Sequence, residues 1–131
     1  MPVTAVLNVA TTATATSTTT ATVIPSPVPA SLIGSPTCVV FGITTDPANA
    51  KARFSYLVYQ TYQAADETTG IAQASGTSAW VSIPGVSHDF PNVSVSVTPT
   101  STISGNSVAF TLEGTTSYTQ TTPGIYTVET V

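Results

Sequence analysis

Few side chains in this sequence can do chemistry, and their spacing limits what they can do. His88 and Asp89 are the one adjacent histidine–carboxylate pair. A catalytic triad needs a nucleophile, a base within hydrogen-bond reach and a third group that orients the base. No nucleophile motif accompanies the pair, and neighbours on a strand point to opposite faces. His88 therefore reads as a loop residue. Cys38 is the single cysteine, so no intrachain disulfide can form. It lies in the apolar run Cys38-Val39-Val40-Phe41 with no cation or histidine close in sequence. That context predicts a buried, reduced side chain rather than a reactive thiol. One histidine and one cysteine cannot complete a zinc site of four nitrogen or sulfur ligands within one chain. Asp66-Glu67 lacks the further carboxylates, spaced two apart, of a calcium loop, and reads as a solvated turn. Six scattered acids give no sign of the paired carboxyls of a glycosidase. The expectation is a protein without catalytic residues, cofactor or metal.

Aromatic and threonine residues are the better candidates for binding. Tyr56 and Tyr62 share a strand face with Phe54, which predicts core packing. Tyr59 falls on the other face and is the candidate exposed contact, with Trp80 a further possibility. The most regular feature is a stripe in which Thr12, Thr14, Thr16, Thr18, Thr20 and Thr22 occupy every second position. Between them stand Ala13, Ala15, Ser17, Thr19 and Ala21. In a strand this places six threonines on one face and small residues on the other. β-Branched threonine suits a pleated strand and resists a helix. The stripe resembles the Thr-x-Thr ladders of β-solenoid antifreeze proteins. Those stack many copies, whereas one stripe and no solenoid repeat are legible here. An O-glycosylated stalk is a further reading of a threonine-rich segment near proline. The leading expectation is an arm that adds a strand to a neighbour, because main-chain pairing needs no particular side chains. The six threonines and Tyr59 are then the candidate assembly interface.

These residues must be held by strands. Val3, Ala5, Leu7 and Val9 alternate ahead of the stripe, and Pro25-Ser26-Pro27-Val28-Pro29 follows it as an extended spacer. Residues 1–37 read as arm and linker. From Cys38 the character changes. Strands are expected at Cys38–Ile43, Ala52–Tyr62 and Thr77–Ile83, with turns at Asp46-Pro47-Ala48-Asn49, Asp66–Gly70 and Pro84-Gly85. Val93, Val95 and Val97 run to a Gly105-Asn106 turn and return through Val108, Phe110 and Leu112, the clearest hairpin signal. Pro99 marks an edge or a bulge. Thr115–Thr121 and Ile125–Val131 read as two strands broken at Pro123-Gly124. No sustained 3.6-residue apolar period appears. The expectation is an all-β, antiparallel sandwich over 38–131, immunoglobulin-like or jelly roll, preceded by an extended N-terminal arm.

Composition narrows the setting. Of 131 residues, 41% are hydrophobic, enough for one core, but only 6% are charged, against about 25% in an ordinary domain. Serine and threonine supply 42 residues, so the polar surface is hydroxyl rather than ionic. Net charge is −4, with Lys51 and Arg53 the only fixed cations. That argues against nucleic acid and against anionic membranes as partners. No basic leader and no run of ~18 apolar residues is present.

The stripe over Thr12–Thr22, the Pro25–Pro29 spacer and the compact Val93–Leu112 hairpin together resemble the layout of the small decoration or cement proteins of tailed-phage and related capsids. The resemblance spans the whole chain and rests on layout and composition. It implies a homo-oligomer, often a trimer, on the outer capsid surface, bridging subunits of the major capsid protein, with virion localisation. A bacterial surface adhesin or pilus-like module, extracellular or cell-surface, is the alternative.

Overall fold

The computed structural model describes residues 2–49, 51–82 and 92–129, with side chains over 12–46, 48–49, 51–82 and 93–118. Strands dominate: β1 (Pro2–Val23), β2 (Pro29–Asp46), β3 (Lys51–Ala64), β4 (Thr69–Thr77), β5 (Val81–Ser82), β6 (Asn92–Ser104) and β7 (Ser107–Glu129). A 3-10 turn, Pro47–Asn49, follows β2 and leads toward β3, with Asn49 donating to Asp46 at 2.8 Å. Every strand pair among the described residues is antiparallel. One sheet has the order β1-β7-β6, and the other has the order β2-β3-β4 with β5 also pairing β3. The chain is a meander (β2–β4) and a hairpin (β6–β7), with the first strand returned against the last.

The two sheets bury one core between them, as the alternation in the sequence requires. From β3 come Phe54, Tyr56, Val58 and Tyr62, from β4 Ala72, and from β7 Val108, Phe110 and Leu112. Each of these is almost fully removed from water. Burying each large side chain is worth about 1.5–3 kcal/mol. A buried amide crosses the interior: Gln60 donates to Gly34 O at 2.9 Å and accepts from the Ser101 hydroxyl, tying β3 to β2 and β6. The hairpin turn falls at Gly105-Asn106, where Ser104 pairs with Ser107 and Gly105 takes φ +60°. Gly105 has the freedom that this left-handed position asks for.

Five expectations are corrected. Residues 1–37 are extended, but they are not a unit apart from 38–131. β1 pairs with β7 at each of its 22 residues, and Ala21 and Val23 pack on the core. The 37/38 boundary falls inside β2. The stripe's small alternate residues reach inward because long side chains from β3 fill the space before them. Second, Pro123-Gly124 does not break the last strand. β7 runs through it opposite Asn8 and Leu7. Proline is tolerated there because β6 ends its pairing at Thr119, leaving one side of β7 without a described partner strand. Third, Val39 and Phe41 are exposed rather than core. A register shift between Val40 and Gly42 makes Phe41 a bulge residue. Cys38, expected to be buried, is half-buried with its side chain against the core edge. The strand expected over Thr77–Ile83 splits into the end of β4 and the short β5. His88, Asp89 and the Pro84-Gly85 turn lie outside the described residues.

Candidate binding surfaces

Among the described residues, no group of three His, Cys, Asp or Glu side chains converges. Burial pushes the Cys38 thiol up from its ordinary value, which reduces its thiolate share at neutral pH. Asp66 is held below the usual carboxylate range by the Thr68 hydroxyl at 2.6 Å and the Thr68 amide at 3.1 Å. This is an exposed Asx turn of the kind that closes a tight loop, and Glu67 beside it takes φ +68°. Arg53 places its guanidinium 4.4 Å over the Trp80 ring. That pairing clasps the segment before β5 onto β3.

What the sandwich presents instead is two outer faces of opposite character. On the β2-β3-β4 side, odd-numbered β3 residues point outward. Cross-strand register sets Ile33, Thr61 and Ile71 in one row, Thr37, Tyr59 and Gln73 in the next, and Val39, Leu57 and Ser75 in a third. Ile71 is 61% exposed, Val39 44%, Ile33 43% and Tyr59 37%. A free-standing sheet face gains nothing by exposing this much apolar surface, and contiguous patches of this kind mark contact sites. At one side of the sandwich, Val40, Phe41, Gly42 and Ile43 of β2 face Val93, Ser94 and Val95 of β6 across an open groove of about 480 Å³.

The β1-β7-β6 side carries hydroxyls. Thr14, Thr16, Thr18, Thr20 and Thr22 all point outward and are exposed, as is Thr12. Register places Ser117, Thr115, Glu113, Thr111 and Ala109 of β7 beside Thr14 through Thr22. It places Ser94, Ser96, Thr98, Thr100 and Thr102 of β6 beyond these. The threonine stripe is therefore one column of three on a face rich in hydroxyls. The sequence shows the other two only once the hairpin register is known, although Thr98-Pro99-Thr100-Ser101-Thr102 carries the same period. The threonines and Tyr59, expected together at one interface, lie on opposite faces of the sandwich.

Beyond the sandwich, Pro2–Thr11 pairs only with Gln120–Glu129 among the described residues, forming a two-stranded ribbon. Such ribbons are marginal by themselves.

Comparison with protein families, curated proteins and solved structures finds no match. The surfaces themselves carry the functional argument.

Proposed function

We propose that the chain is a structural virion protein, a capsid decoration or cement protein that docks on the outer capsid surface and bridges coat subunits. The observation that carries this reading is the apolar outer face around Tyr59. Ile33, Val39, Leu57 and Ile71 surround it on a rigid sheet. Interfaces are built from aromatic and aliphatic anchors of this type with few charges at the centre. The partner is the major capsid protein, and the ribbon of Pro2–Thr11 with Gln120–Glu129 offers strand edges without a partner among the described residues for self-association, for instance as a trimer. The low charge fits a chain that spends its life packed against neighbours.

Native mass measurement of the source fraction that holds the chain tests this. A particle mass with coat protein in the same species is expected. A free monomer there refutes the proposal. Substituting Tyr59→Lys together with Ile71→Lys should abolish attachment while leaving circular dichroism unchanged. Undiminished attachment would exclude this face as the docking surface.

A further inference from the structure

We propose that the outer face of the β1-β7-β6 sheet is an ice-binding surface. This goes beyond the capsid reading and uses the opposite face of the sandwich. A copy docked through the Tyr59 face would hold the threonine face toward water.

The face is a two-dimensional lattice of five rows and three columns, Thr14–Ser117–Ser94 to Thr22–Ala109–Thr102. Ten of its fifteen positions are threonine and three are serine. Two hydroxyls make long bonds within the protein, Thr18 to Glu113 at 3.3 Å and Thr100 to the Thr111 carbonyl at 3.4 Å. The other hydroxyls of the lattice make no hydrogen bond to the described residues. Rows of unshared hydroxyls, most of them on threonine and so beside a methyl group, are a surface for water rather than for protein.

The spacings decide which form of water. Strands lie about 4.8 Å apart and side chains on one face repeat at about 6.7 Å along a strand. Water bonds at an O···O distance of about 2.75 Å, so a tetrahedral lattice repeats at roughly 4.5 Å between second neighbours and roughly 7.3 Å between equivalent layers. The mismatch is about 0.3 Å per strand and about 0.6 Å per row. Two steps across three strands accumulate about 0.6 Å, close to the width of the O–H···O distance range, whereas four steps down five rows accumulate about 2.4 Å, so the match holds over neighbouring rows only. Strand twist of about 20–25° per step confines the match to the rows nearest the centre of β7. Threonine is stiff at χ1, so its hydroxyl and methyl are set before contact and little side-chain entropy is lost on binding.

Other occupants fit poorly. The fifteen positions include no lysine, arginine or aromatic residue. Phosphate backbones need the cations, and sugar rings the aromatic planes. A second copy packed sheet on sheet would want large interdigitating side chains. Glu113 is the lone charge and stands in the middle row.

The test uses polycrystalline ice in sucrose solution, with recrystallisation and crystal shape followed by microscopy. The full chain should suppress recrystallisation and facet growing crystals. Thr16→Tyr and Thr20→Tyr, on exposed positions where stability changes stay small, should raise the protein concentration needed by roughly tenfold. Thr69→Tyr, an exposed position of β4 beside Gln63 on the opposite face, should leave it unchanged. Glu113→Thr should lower it. A wild-type chain that leaves recrystallisation untouched overturns the proposal. So does equal potency of folded Thr16→Tyr and Thr20→Tyr, folding being checked by circular dichroism. Loss of potency in Thr69→Tyr would assign the effect to the other face and overturn it equally.

Discussion

Tyr62 lies directly across from Gly70, so close that a Cβ on Gly70 would fall 2.7 Å from the tyrosine Cζ. The ring cannot swing clear, since it is buried and its hydroxyl donates to the Pro27 carbonyl at 2.8 Å. Sheet pairing, core filling and the β1–β2 crossover thus meet in one side chain. Gly70→Ala should destabilise the fold by about 1–3 kcal/mol, the range for overpacking. Urea denaturation measures it, and an unchanged midpoint would show that the ring relaxes freely.

Gln60 is the polar counterpart inside the same sandwich. Replacing it with Leu removes the partner of the Ser101 hydroxyl and of the Gly34 carbonyl. Leaving buried groups unpaired costs about 1–3 kcal/mol. The double variant Gln60→Leu with Ser101→Ala should recover part of that loss in the same denaturation assay.

Truncation separates β1 into two parts. Removing residues 1–11 takes away only a ribbon strand and should leave the melting transition of the sandwich in place. Removing residues 1–23 strips the strand whose Ala21 and Val23 pack on the core and bares the edge of β7. That chain should lose its cooperative transition. Cooperative melting of the longer truncation would restore the independent arm.

Much of this was legible beforehand, for reasons that differ by residue. Phe54, Tyr56, Val58 and Tyr62 share one period-two face of β3, and such a face buried at a sheet has one solution. Gly105-Asn106 carries its turn chemistry locally. The inclusion of β1 was not legible, because its inward residues from Ala13 to Ala21 are alanine, serine and threonine, and pairing to a strand distant in sequence leaves no local trace. Nor was the outward Phe41, since Cys38–Phe41 is apolar at every position and its composition does not show which alternate residues face the core. The threonine lattice was legible only in part. One column stands in plain view, while the other two are interrupted by Glu113, Ala109 and three serines.

Asp66 offers a pH probe. Its carboxyl is held low by Thr68, so the stabilisation is present above the ordinary carboxylate value and is lost as pH falls through the folded value. Thr68→Ala should move the Asp66 titration upward in an NMR pH series. No movement would mean that the Asx turn is not formed in solution.

Cys38 should react slowly with a thiol reagent at neutral pH and faster as pH rises, because burial disfavours its thiolate. A rate equal to that of the urea-unfolded chain would contradict its placement against the core.

Trp80 is the only tryptophan in the chain, 40% exposed and stacked under Arg53 rather than sunk in the interior. Its emission therefore does not report on the core at all. Fluorescence would register the release of the clasp between β5 and β3, and would shift while the tyrosine-lined interior is still intact. An unfolding curve followed at the indole and one followed by backbone dichroism will part company for this protein. The gap between them measures how early this corner of the sandwich opens.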